Sequence, residues 1–172
     1  MHFNFFGHVK GRYNRSEEPL ATTVEEAKAV VDHLLTTSPS EEDTQVVVSR
    51  SDTVDGIEVI VDPGTGYVTL SWSGYLQSKN PTPFADAPLI AHNYDDDPLI
   101  HMARSSYVSV EVAREALYQY VETGGQPTAV EWEPQVFEVY ELPGWVADEP
   151  EEARHFVLIE PSGVDGGGPA RQ

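Results

Sequence analysis

From Ser109 to Glu133 the chain reads S-V-E-V-A-R-E-A-L-Y-Q-Y-V-E-T-G-G-Q-P-T-A-V-E-W-E, and no other stretch limits its fold as strongly. Val110, Ala113, Leu117, Tyr120 and Val121 recur at helical spacing, behind a serine suited to cap a helix. Gly124 can take the left-handed conformation that ends a helix, and Pro127 prevents a restart. Thr128 to Trp132 then alternates as a strand, with Val130 and Trp132 turned the same way. A helix and a strand that each have one apolar side need a sheet on which to bury it.

The rest of the chain supplies the parts of such a sheet. Residues 2–9 alternate partly, through Phe3, Phe5, Phe6 and Val9, and predict a first strand. Residues 11–19 are polar and read as a loop. Thr23 and Glu26 make a T-x-x-E capping box before a second amphipathic helix, whose inner face is Val24, Ala27, Val30, Val31, Leu34 and Leu35. Pro39 closes it. Strands are expected at 46–48, 57–61 and 67–72, the last two joined as a hairpin across Pro63-Gly64-Thr65-Gly66. Residues 74–88 hold three prolines and read as a long loop, followed by short strands at 88–94 and 99–102. The order β-α-β-β-β-β-α-β predicts an α+β fold: a mainly antiparallel sheet with two helices packed on it. Residues 134–160 look like a strand extension of the same domain, through 136–140 and 155–159. The Gly-rich stretch 161–172 reads as a disordered tail.

Charge narrows the possible partners. Twenty-nine acidic against ten basic residues give a net charge of -19, and the pI is near 4.4. Such a chain repels nucleic-acid phosphates and anionic membranes, and draws in a basic protein. A mean hydropathy of -0.36 is ordinary. No apolar run approaches the roughly 18 residues that span a bilayer. The start lacks the basic region and longer apolar core of an export signal, so a cytoplasmic location is expected. Without cysteine, disulfides and thiolate chemistry are excluded.

Catalytic patterns are sparse. His92, Asp96 and His101 are the best candidates for a metal-dependent hydrolase, but Pro98 interrupts any regular element that would align them. There is no G-x-S-x-G elbow, no S-x-x-K and no phosphate-binding glycine loop. No catalytic residue, metal ligand or cofactor is therefore assigned. Aromatics beside acids are more informative, because interfaces use aromatic anchors rimmed by charge. Tyr75, Tyr94, Asp95, Asp96, Asp97, Glu131 and Glu133 fall at expected strand ends or in loops and are the candidate partner contacts. Trp72 and Trp132 are expected in the core.

Val110 to Trp132 resembles the closing signature of the first immunity-protein family of bacterial polymorphic toxin systems: a helix, T-G-G-x-x-P, and a strand ending in tryptophan. The resemblance spans about residues 1–133 and is concentrated in Gly124, Gly125, Pro127 and Trp132. Members often show Gly-Gly-x-Arg-Pro, where this chain has the shorter Gly-Gly-Gln-Pro. Many also carry an aromatic-rich strand where it has 89–94, and residues 134–172 have no counterpart. The resemblance implies a non-enzymatic inhibitor, as a monomer or a 1:1 heterodimer with one secreted toxin domain, often a nucleic-acid deaminase or nuclease. It also implies that the four signature residues are structural. A small hydrolase using His92, Asp96 and His101, and a general acidic chaperone or adaptor, are the competing expectations.

Overall fold

A computed structural model of the chain describes residues 1–9, 12–14, 19–36, 45–62, 64–87, 90–91, 100–101 and 103–135. They form an α+β structure. Its strands are β1 (Phe3–Val9), β2 (Arg12–Asn14), β3 (Gln45–Arg50), β4 (Gly56–Val61), β5 (Val68–Trp72), β6 (Leu76–Lys79), β7 (Ile90–Ala91), β8 (Ile100–His101), β9 (Tyr107–Val108) and β10 (Glu131–Pro134). Its helices are α1 (Val24–Thr36) and α2 (Val110–Thr123). The main sheet runs β10-β6-β5-β4-β3-β1-β2, with β9 pairing β5, and every pairing is antiparallel. β7 and β8 pair separately.

Alternation along the strands sends one set of side chains to the helices. Phe3, Phe5, Val46, Val48, Ile57, Val59, Val61, Val68, Leu70 and Trp72 meet Ala27, Val30, Val31, Leu34 and Leu35 of α1 and Ala113, Ala116, Leu117, Tyr120 and Val121 of α2. Each large apolar side chain so buried contributes about 1.5–3 kcal/mol. The ion pairs that also join the helices, Lys28–Glu122 and Arg114–Asp32, are partly exposed. Pairs of that kind are worth about 0–1 kcal/mol, so burial is what holds the layers together.

The capping box forms as its residues predict. The Glu26 amide donates to Thr23 Oγ1 at 3.2 Å, and the Glu26 carboxylate accepts from the amides of Thr22 and Thr23 at 2.8 and 3.3 Å. Those bonds, the Thr22 amide foremost, hold the Glu26 carboxyl below its usual pKa. The β4–β5 hairpin forms across the Asp62–Tyr67 turn, with Val61 opposite Val68.

Three readings are corrected. Residues 11–19 contain β2, which pairs with β1. Residues 74–88 are not loop throughout, since β6 sits inside the sheet between β5 and β10. Its Gln77 and Ser78 are fully buried polar residues that give no apolar alternation. The last strand begins at Glu131 rather than Thr128, because the Thr128 and Ala129 amides donate to the Gln119 side chain instead of to a ladder. β9 likewise was not expected. The strands expected at 88–94 and 99–102 are described only at β7 and β8. Of the proposed extension 134–160, only 134–135 are described, Pro134 as the end of β10; the strands expected at 136–140 and 155–159 and the tail lie outside the described residues. No helix among the described residues is long and apolar enough to cross a membrane.

Burial makes a pH prediction. It raises the phenol pKa of Tyr107 and of Tyr120 above the ordinary 10.0, burial being the largest cause for each. A raised pKa means that the fold favours the protonated phenol. The stabilisation is complete below about pH 10 and is lost as pH rises through the folded-state values. The denaturation midpoint should hold steady up to about pH 10 and fall beyond it. Unfolding above that pH should release the buried phenols as tyrosinate, and a midpoint unchanged to about pH 12 would contradict this.

Candidate partner-binding site

The connector after α2 fixes where β10 begins. Ser109 caps the helix start by accepting from the Val112 amide at 3.3 Å. At the other end Gly124 has φ +72, and its amide donates to Tyr120 O at 2.7 Å. A Cβ on Gly124 would stand 2.7 Å from Thr53 Cγ2 and 3.1 Å from Arg50 Cζ, so this position is closed to side chains. Gly125 has only its neighbour Thr123 within reach, at 3.7 Å, and nothing in the structure explains its glycine. Gln119 Oε1 accepts from the Thr128 and Ala129 amides at 2.8 and 3.0 Å. Trp132 donates from Nε1 to Pro127 O at 2.8 Å, and its ring lies 6.4 Å from that of Trp72. Trp132 is partly exposed and packs on the rim of the core.

The same connector makes one wall of a groove of about 640 Å³. Ala129, Val130 and Glu131 form that wall; Val108 of β9, with Ser109 and Val112 at the start of α2, and Lys79 to Ala85 supply the rest of the lining. The lining is mainly apolar, with Lys79 and Glu131 as its charged members. Below residues 80–87, a small second core joins Ile60, Ala87 and Tyr107 to Tyr67 and Phe84. The last two rings stack at 4.0 Å, which steadies that side of the groove.

The sheet face turned away from the helices mixes polar and apolar side chains. Cross-strand register runs Phe6–Val47–Glu58–Ser71–Gln77–Glu133 along one row. Gln45 donates to Glu58 of this row. At the β10 end, Glu133 accepts from Gln77 and Ser105 at 3.1 and 3.2 Å and stands 3.9 Å from Lys79. Three buried side-chain atoms have no hydrogen-bond partner among the described residues: Asn4 Oδ1, Ser71 Oγ and Tyr107 OH. All three residues belong to this face by register, which leaves it less satisfied than the helix side.

The sequence candidates are distributed as follows. Glu131 is exposed at the groove, and Glu133 sits one pleat along on the helix-free face, half-buried and engaged internally. Tyr75 is 57% exposed in the β5–β6 turn, where its carbonyl accepts from the Gln135 amide. Tyr94, Asp95, Asp96 and Asp97 lie outside the described residues, as do His92 and the Asp96 of the hydrolase reading. His101 is described only as backbone in β8. Among the described residues no group of three or more histidines and carboxylates could hold a metal ion. Lys79, Asn80, Phe84 and Val112 were not foreseen. The three prolines of 74–88 are the one sequence signal on that side of the groove, and they read as a loop.

A family model described as Immunity protein Imm1 matches residues 15–134, which take in α1, the main sheet from β3 onward, the groove and the T-G-G-Q-P connector. No curated protein and no solved structure matches the chain.

Proposed function

We propose a toxin-neutralising mechanism from one premise: this chain belongs to the Imm1 immunity-protein family. Its partner is then a cognate toxin protein, and its role is that of a non-catalytic inhibitor. In our reading the toxin is a nucleic-acid deaminase or nuclease with a basic substrate groove. The protein covers that groove through a standard-size interface of roughly 1,600 Å². Tyr75, Tyr94, Asp95, Asp96, Asp97, Glu131 and Glu133 are proposed as contacts. The encounter takes place in the cytoplasm between monomers and gives a 1:1 complex. The family match carries the inhibitory role. The net charge of -19 supports the electrostatic part, because an acidic surface competes with phosphates for a basic cleft.

Two measurements test this reading. Co-expression should restore growth to cells making the toxin domain of the adjacent reading frame, and should not protect against unrelated toxins. A general acidic chaperone would not discriminate among them. The association rate should fall by about 10-fold or more from low to physiological salt. Protection with a salt-independent rate would remove the phosphate-surrogate mechanism and leave the inhibitory role standing.

A further inference from the structure

We infer that the groove between residues 79–85, the first turn of α2 and residues 129–131 is the toxin's anchoring pocket. It receives an apolar side chain of the toxin that stands beside an arginine or lysine. This rests on the toxin-neutralising reading above and adds the place and chemistry of the contact.

The groove has the form such an anchor needs. Its volume of about 640 Å³ exceeds one side chain and suits a short protruding segment. Val108, Val112, Ala129 and Val130 give it an apolar lining. Its walls are tied down. The Asn80 amide donates to Ser105 O at 2.6 Å, Asn80 Nδ2 donates to Tyr107 O at 3.1 Å, and Gln119 holds the Thr128 and Ala129 amides. A pocket whose walls are already ordered loses little entropy when it is filled.

Charge selects the occupant. Glu131 is exposed and lines the groove, and its carboxylate makes no hydrogen bond or close ion pair among the described residues, although Lys79 stands opposite it in the β6–β10 register. Exposed Glu111 adjoins the α2 wall, and exposed Asp86 follows the last residue of the opposite wall. Lys79, the cation of the lining, stands 3.9 Å from Glu133 and is partly offset by it. Lys79 is shared between Glu131 and Glu133, so an anionic or neutral partner would leave a surplus of carboxylates as the interface closed over them. A cationic side chain beside the apolar anchor removes that cost and becomes a central contact.

The test uses the full chain and the purified toxin domain encoded by the adjacent reading frame, with binding followed by calorimetry and inhibition by cell survival. Glu131→Lys should weaken binding by about 30-fold or more, in the range of a desolvated charge pair. Val112→Arg, which fills the pocket with a like-charged side chain, should weaken it at least as much. Glu25→Lys makes the same charge change in the first turn of α1, beside the far end of α2, and should cost less than about 3-fold. Thermal midpoints of all variants must match that of the parent chain within a few degrees. If either variant unfolds, Glu131→Gln serves in its place and should weaken binding about 10-fold. Groove variants that bind like the parent would overturn the anchoring pocket while leaving the toxin-neutralising role intact. A parent chain that neither binds nor protects would overturn both. Groove variants that change the oligomeric state of the chain alone, with toxin binding unaffected, would assign the groove to a second copy and overturn the proposal.

Discussion

Replacing Gly7 with alanine is expected to cost about 3–5 kcal/mol, from backbone strain and overpacking together. Gly7 lies in β1 opposite Val46 of β3. Its φ of +130 is one that side chains with a Cβ rarely adopt. An added Cβ would stand 2.4 Å from the Gln45 carbonyl oxygen and 3.2 Å from Val46 Cα. Both are backbone atoms in the neighbouring strand, so neither can move aside without opening the β1–β3 ladder. That ladder joins β2 and β1 to the rest of the sheet. Against a usual total of about 5–15 kcal/mol, such a loss brings the protein near its unfolding threshold. Urea titration measures it. Gly125→Ala, with no positive φ and no close neighbour, is the control and should change stability by less than about 0.5 kcal/mol. A Gly7→Ala loss below about 1 kcal/mol would show that β1 can relax and that the close approach is not required.

The contrast between these glycines bears on what a sequence can reveal. Composition and pattern identify both Gly124 and Gly125 as helix punctuation, yet only Gly124 has the left-handed φ and the crowded surroundings that exclude a Cβ. The crowding comes from Arg50 and Thr53, more than seventy positions away in sequence, and no local pattern reports it. The helices were legible because their apolar faces repeat and their caps are local: Thr23 with Glu26, and Ser109 with the Val112 amide. β3, β4 and β5 were legible for the same reason. β6 was not. Its place in the sheet rests on Gln77 and Ser78, whose buried polar atoms bond to Glu133, Ser106 O and the Leu70 amide, none of them a sequence neighbour. The Ser73-Gly74 pair before it is a turn signal, since both residues have positive φ and the Tyr75 amide closes the turn on Trp72 O. Of the residues that the sequence offered as partner contacts, Glu131 lines the groove. The groove beside it is assembled from three segments, and a sequence does not show which loops converge.

Tyr120→Phe should destabilise the protein by about 2–3 kcal/mol, the cost of leaving buried polar groups unpaired. Tyr120 is fully buried in α2, and its hydroxyl stands where helix, sheet and loop meet. It accepts from the Arg50 amide at 3.1 Å, donates to Asp55 O at 2.8 Å and lies 3.3 Å from Thr53 Oγ1. Phenylalanine keeps the edge-on ring contact with Trp72, 5.8 Å between centroids, and leaves almost no cavity. What it removes is the partner of a buried strand-end amide. Asp55 O keeps its bond from Thr53 Oγ1 at 3.1 Å, so the Arg50 amide bears most of the loss. Arg50 is otherwise held: its guanidinium donates to Val121 O at 3.1 Å and pairs with Asp52 at 2.8 Å. The hydrogen bond to Arg50 holds the Asp52 carboxyl below its ordinary pKa, and Asp52 in turn raises the pKa of Arg50. That network pins the C-terminal turn of α2 to the end of β3, and the connector carrying Glu131 leaves from the same turn. Tyr120→Phe should therefore loosen the groove as well as the core. Amide exchange at Thr128 and Ala129 should quicken with that at Arg50, while the Asp32–Arg114 end of the helix pair is little affected. Exchange that quickens evenly along α2, or not at all, would mean that the hydroxyl does not couple the core to the connector.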